Sequence, residues 1–200
     1  MSGAALRLTD VACLRGGRML FRGVSLRLGP GDGALLTGPN GIGKSSLLRI
    51  CAGLLPAFAG TVERSGTVAL TDERLALDMD VPLAGALRFW AGLDRAEQTA
   101  VDRALQAMAL TRLADVPVRM LSTGQRKRAM LARVIASGAP LWLLDEPGNG
   151  LDTASIDLLG AAVAGHLAAG GIVVAASHQP LPIAAPVTVA IDAHLAEEEE

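Results

Sequence analysis

Tyrosine is absent from the 200 residues, and the only aromatics are three phenylalanines and two tryptophans. A chain so poor in rings lacks the platforms on which single-stranded nucleic acids stack. No charge of one sign dominates: the formal net charge is −2, so neither polyanions nor membrane surfaces are attracted by charge alone. Only two cysteines are present, Cys13 and Cys51, with no CxxC pair and no Cys/His cluster. That excludes a structural zinc site and a disulfide framework, and it points to a reducing, cytoplasmic compartment. Cys51 falls in an apolar helical run and reads as a small buried hydrophobe. Arg7 and Asp10 interrupt the N-terminal segment, so a signal peptide is not expected. No sustained heptads occur, which disfavours long coiled coils.

One long stretch lacks charge: Leu158 to Ile191 contains no Asp, Glu, Lys or Arg. A membrane span is nevertheless not expected there. Gly170 and Gly171 break the run early, and Pro180, Pro182 and Pro186 break it late. It reads as helix, Gly-Gly turn, strand, loop and strand.

What is present is half apolar and globular in composition. Leu6–Leu8 and Val24–Leu28 alternate apolar and polar residues, as half-exposed antiparallel strands do. Ala34–Thr37 reads as a short buried strand, and residues 44–52 as a helix stopped by Gly53. Residues 67–71 read as a strand. From about 76 to 135 the pattern is helical. Asp94 with Glu97 predicts a capping box ahead of Val101, Leu105 and Met108, and Ser122 with Gln125 a second box opening a helix to about 136. Leu141–Leu144 and Ile172–Ala176 are continuous apolar runs that suit parallel strands covered on both faces, with a crossover helix over about 153–169. Glu197 to Glu200 reads as a solvated acidic tail.

Between the strand at Ala34–Thr37 and the helix from 44, Gly38, Pro39, Asn40, Gly41, Ile42, Gly43, Lys44, Ser45 and Ser46 spell GxxxxGK[ST] and a further serine. Glycines let the backbone curl so that successive N–H groups face phosphate oxygens, and the helix N-terminus adds its positive dipole end. Lys44 reaches the β- and γ-phosphates, and the Ser45 hydroxyl is a Mg²⁺ ligand. This predicts a nucleoside-triphosphate site. The strand Leu141–Leu144 ends in Asp145 and Glu146, which faces the crevice beyond a parallel sheet. Asp145 suits the outer coordination of Mg²⁺, and Glu146 the polarisation of an attacking water. Ser122 and Gly124 at a helix start expose backbone N–H groups, a second anion-binding arrangement; on its own it is equally an ordinary helix cap.

Taken together these residues resemble the nucleotide-binding domain of ABC transporters over nearly the whole chain. Gly38–Ser45 is similar to the Walker A motif, and Leu121–Gln125 to the signature motif, with Thr123 where glycine is usual. Leu141–Glu146 is similar to Walker B with its catalytic glutamate. Gly150-Leu151-Asp152 is similar to the D-loop, and Ser177-His178 to the switch histidine. The resemblance implies an α/β P-loop fold: a mostly parallel sheet, a small antiparallel sheet and an inserted helical subdomain. It would form a single domain, with 1–75 and 137–200 as the core and 76–136 as the helical part. It implies ATP and Mg²⁺ as cofactors and a homodimer with two ATP molecules at its interface. Ser122, Gly124 and Gln125 would reach the nucleotide of the opposite protomer, while His178 holds the γ-phosphate in its own. Departures are visible. Asp72 or Glu73 stands where the family has a glutamine, which makes Asp72 a candidate Mg²⁺ ligand. Arg15 stands near the place of the aromatic that stacks on adenine. Gly148 loosens the turn before the D-loop.

Within the family, the run Ala12 to Phe21 and the Asn149–Asp152 segment resemble ATP-binding subunits of haem exporters in cytochrome c maturation. That implies integral membrane partners handling haem, docking near 76–136, and a peripheral place on the cytoplasmic face of a bacterial inner membrane. No CxxCH and no paired histidines are present, so the chain itself offers no haem ligands. Two alternatives stay open on residues alone: the ATPase of another exporter, for lipids or drugs, and a nucleotide-gated dimerisation module. His166 and His194 match no motif, and Arg126-Lys127-Arg128 reads as a solvated face.

Overall fold

The structure is a computed structural model that describes residues 3–71, 76–178 and 181–195. Two sheets are present among them. Strand β1 (Ala5–Arg15) pairs antiparallel with β2 (Arg18–Leu28) on one side and with β4 (Ala59–Ser65) on the other. Strands β5 (Val68–Thr71), β6 (Leu141–Asp145), β7 (Ile172–Ala176), β3 (Gly33–Thr37) and β8 (Val187–Ala190) form a five-stranded sheet in that order, every pair parallel.

The unbroken apolar runs have a direct explanation. Successive side chains of a strand point to opposite faces, and here each face has its own core. Leu141 and Leu143 of β6, with Ile172 and Val174 of β7, join Leu6, Phe21 and Leu28 of the antiparallel sheet and Leu47 and Leu48 of helix α1 (Lys44–Ala52). Trp142 and Leu144, with Val173 and Ala175, face the other way. They meet Leu159 and Val163 of α5 (Thr153–Ala168) and the helices α2 (Leu83–Leu93), α3 (Ala100–Ala107) and α4 (Thr123–Ala136). A polar residue at any of these strand positions would be buried without water, which is why the alternation seen in β2 is missing here.

The helical stretch is held by Leu83, Leu87, Met108 and Leu110, all fully buried. Truncating such a leucine to alanine costs about 2–5 kcal/mol. The predicted Asp94–Glu97 capping box does not form. Asp94 closes α2, donating its N–H to Trp90, and α3 starts only at Ala100, with no side chain capping it. The connection closes back on α2 through Ala96 N–H to the Ala91 carbonyl, and Glu97 turns forward to Arg103 at 2.6 Å. The Ser122–Gln125 box does form, and α4 runs to Ala136.

Strand β4 carries no apolar alternation, since only Val62 and Ser65 are even half-buried. It exists because β1 offers an unpaired edge. Strand β1 is longer than its alternation suggests: irregularities near Leu8, Val11 and Cys13 shift the register and put Val11, Ala12 and Cys13 inside consecutively.

Candidate active site

Parallel strands β6, β7 and β3 are neighbours, and their C-terminal ends lie level: Asp145 pairs with Ala176, and Ala176 with Leu36. The loop after β3 carries Lys44, the end of β6 carries Asp145 and Glu146, and the end of β7 carries Ser177 and His178. The three segments therefore converge on one crevice, the position where ligands bind in open α/β sheets. The crevice is a cleft of about 600 Å³ lined by residues of these loops and by Leu20 of β2.

The loop into α1 is built by its glycines. Gly43 has φ 115°, and a Cβ added there would stand 3.0 Å from the Phe21 ring. Both facts demand glycine, the first because L-residues avoid that backbone region. No side chain caps α1, so its first N–H groups are left to the cleft. Lys44 is 6 % exposed, and its ammonium donates to the carbonyls of Gly38 at 2.7 Å and Pro39 at 3.1 Å. Asn40, Gly41, Gly43, Ser45 and Ser46 line the cleft. Ile42 does not: it is buried beneath Gly38 and serves the loop by packing.

Opposite stands the acidic strand end. Glu146 sits at φ 45°, a left-handed conformation that costs a residue with a side chain about 1 kcal/mol or more. Its N–H donates to Ala176 and its carbonyl accepts from Asn149. His178 Nδ1–H donates to Glu146 Oε2 at 2.9 Å, with the histidine 44 % and the glutamate 16 % exposed. Asp145 and Ser45 line the same cleft, a carboxylate and a hydroxyl, which is the oxygen set Mg²⁺ takes when phosphates supply the rest. Among the described residues no group of three or more His, Cys, Asp or Glu stands together as a metal cage, so an ion here would depend on the nucleotide's oxygens.

Not every expected residue is in this cleft. Arg15 lies at the tip of the β1–β2 hairpin, paired with Arg18, and does not line it, because β1 continues to the Gly16-Gly17 turn. Leu20 takes the apolar wall instead. Asp72 lies outside the described residues. Ser122, Gly124 and Gln125 lie at the start of α4, and none of them lines the cleft of their own chain. There Ser122 Oγ accepts from Gln125 N–H at 3.3 Å, and Gln125 Oε1 accepts from Ser122 N–H at 2.8 Å. Leu20, Arg49 and Asn149 line the cleft without having been singled out for it. Asn149 stands three residues beyond Glu146, which is the one signal available for it.

The basic run is not a solvated face. Arg126 donates to the Arg119 carbonyl at 2.6 Å, Arg128 to Met108 at 2.9 Å, and Lys127 to Asn149. Asp152 caps α5 by accepting from Ser155 N–H at 2.8 Å. The Ser155 hydroxyl and N–H hold its carboxyl below the usual range, with Arg128 assisting. His166 has a packing role: it stacks on Trp142 at 3.8 Å and donates to the Pro140 carbonyl at 3.1 Å. Burial pushes its pKa down. Gly148 is a point of close approach, since a Cβ would stand 3.1 Å from Ile156. Burial pushes the Cys51 thiol up to about 12, which leaves it unreactive, as a buried hydrophobe.

Residues 21–149 match the family model described as ABC transporter. A cytochrome c biogenesis ATP-binding export protein, CcmA, of Novosphingobium aromaticivorans is 58% identical, over 96% of this chain and 97% of that protein. The protein of the same name from Zymomonas mobilis is 52% identical, over 94% and 85%. Among solved structures, an ABC transporter ATP-binding protein from Pyrococcus furiosus superposes with a TM-score of 0.84 at 20% identity, covering 96% of this chain and all of that one. That last likeness concerns the fold. With its P-loop, its acidic strand end and these relatives, the chain belongs to the ABC transporter family of ATP-binding subunits, and within it to the cytochrome c biogenesis ATP-binding export proteins.

Proposed function

We propose that this chain hydrolyses ATP for an exporter serving cytochrome c maturation. One observation carries the hydrolytic part: a single cleft holds Lys44, Ser45, Asp145, Glu146 and His178 together. The relatives' shared name carries the export part.

Each residue has a task set by its chemistry. The N–H groups of the Gly38–Ser45 loop and the Lys44 ammonium bind and orient the β- and γ-phosphates; Lys44 gives up two loop carbonyls to do so. Ser45 and Asp145 would hold Mg²⁺, which supplies charge neutralisation on the phosphates when bound. The Glu146 carboxylate accepts a hydrogen bond from the attacking water and takes up its proton. His178, bonded to that carboxylate, fixes its direction, and its imidazole lines the cleft in which the γ-phosphate would lie. Ser122 and Gly124 stand outside their own chain's cleft, which supports a composite site: in a dimer of two copies they face the other protomer's γ-phosphate.

None of the described helices is long and apolar enough to cross a membrane; the relatives' shared name as ATP-binding export proteins supports attachment through membrane-embedded subunits. The helical segment offers them exposed apolar side chains, Phe89 at 63 % and Leu93 at 61 % on α2. The chain sits peripherally, on the cytoplasmic face where ATP is available. Extracting native membranes in mild detergent with a tag on this chain tests the reading. Co-purifying haem-handling membrane subunits are expected. A permease of another class, with ATPase activity retained, would move the function to that permease's cargo.

A further inference from the structure

Between α4 and the end of β6 the packing is incomplete. A cavity of about 130 Å³ lies there, lined by Thr71, Lys127, Met130, Asp145, Glu146 and Asn149, among others. Beyond it the chain makes two successive tight turns: Asn149 N–H donates to Glu146 at 3.1 Å, and Leu151 N–H to Gly148 at 3.2 Å. These turns carry Glu146 in its left-handed backbone conformation. A strained residue keeps its geometry only when its surroundings over-determine it. The open cavity contributes little to that, because a void supplies no partner atoms.

One side chain spans the gap. Lys127, in the first turns of α4, lines the cavity and donates to the Asn149 carbonyl. Its ammonium stands where a Cβ on Gly150 would be only 3.2 Å away, so it lies directly over the second turn. Its neighbours Arg126 and Arg128 brace other segments, the Arg119 and the Met108–Ala109 carbonyls. Lys127 is thus the member of the basic run that reaches the turn after the catalytic strand.

We infer that Lys127 is a positioning residue for Glu146: by holding the Asn149–Gly150 turn across the cavity it keeps the Glu146 carboxylate aimed at the water. The inference rests on the reading of Glu146 as the base. Because Lys127 lines the α4 side of the strand end and not the phosphate cleft, its loss acts on turnover and leaves nucleotide binding alone.

The test uses the complete chain in the complex with which it purifies. Lys127→Met keeps the apolar stem and removes the donor. Steady-state kcat and KM are measured beside the affinity for a fluorescent ATP analogue and the thermal midpoint. The expected result is a fall in kcat of roughly tenfold, with analogue affinity and midpoint unchanged, since even a one-ångström misplacement caused by a remote substitution can cost about 10²-fold and the turn here shifts by less. Lys127→Arg, which retains a donor of similar reach, restores kcat to within about threefold. Unchanged kcat in Lys127→Met overturns the inference. So does a parallel loss of kcat, affinity and thermal midpoint, which marks a general structural role. Glu146→Gln, run alongside, separates the two readings. If it abolishes turnover while Lys127→Met leaves kcat unchanged, the base stands and the positioning role falls. If it leaves turnover intact, the base falls, and the positioning role with it.

Discussion

Helix α1 opens on Gly43 with no side chain at its cap, whereas α4 opens on Ser122 with both bonds of a capping box closed. Both starts bear glycine, and both were read from sequence as places for phosphate. The difference lies in what each start leaves unsatisfied. At α1 the donors of the first turn are open, the backbone glycine is obligatory, and the lysine that follows is nearly buried inside the loop. That helix start is made around its ligand. At α4 the box already satisfies the N–H groups of Ser122 and Gln125 and leaves those of Thr123 and Gly124 with no partner inside the helix. Gly124 has open space around it and no unusual φ. The first start opens into the cleft of its own chain; the second lies outside it.

The comparison is sharpened most by removing the carboxylate proposed as the base at the first start. Glu146→Gln should lower kcat by about 10²–10⁴ while retaining ATP binding, measured by single-turnover hydrolysis and nucleotide titration. Comparable turnover would break the assignment of the cleft's acidic wall. Next in size, Gly43→Ala should destabilise the chain by about 1–3 kcal/mol in urea unfolding, because it forces a side chain into φ 115° against Phe21. Gly124→Ala should stabilise the fold by about 0.5 kcal/mol in the same assay, yet impair turnover where two copies meet. Equal destabilisation by the two substitutions would erase the contrast. Ser122→Ala should cost about 1 kcal/mol of stability through the lost cap and leave binding to the P-loop of its own chain unchanged.

The smallest effect concerns pH, and it again separates two regions. His178 belongs to the cleft, while His166 is stacked on Trp142 away from it. Burial lowers the His166 pKa from 6.5, so the folded state disfavours its protonation. Its contribution is complete above about pH 6.5 and is lost as pH falls through that value towards the folded pKa. His166→Phe should therefore flatten the acid side of a stability–pH curve without shifting the ATPase profile. An unchanged curve would show that the stack is not what ties stability to pH.

Most of the parallel sheet was legible because its signals are local. A strand covered on both faces must be apolar throughout, and Leu141–Leu144 and Ile172–Ala176 were readable for that reason. The nucleotide loop was readable because glycine at Gly43 and lysine at Lys44 answer steric and electrostatic demands that few other residues meet. What escaped was set by distant partners. Strand β4 has nearly no inward side chain and is a strand because β1 needs an edge partner. Asp94 and Glu97 have the spacing of a box, but the chain there closes back onto α2, and Glu97 finds Arg103. Arg15 is at a hairpin tip because β1 runs past its visible alternation. Arg126-Lys127-Arg128 looks like any charged helix face until the carbonyls of Arg119, Asn149 and Met108 are brought against it.

The sequence by itself determined the glycine-rich strand-loop-helix from β3 to α1, the carboxylates that end β6, and the self-capped start of α4. Each rests on bonds spanning a few residues, which local residue identity is enough to specify. Only the tertiary structure decided that Glu146, 32 residues from His178 along the chain, lies 2.9 Å from it. It alone placed β7 between β3 and β6, so that three loops share one cleft. Strand order and side-chain approach are settled by which apolar faces can be buried together, and that balance is summed over the whole chain.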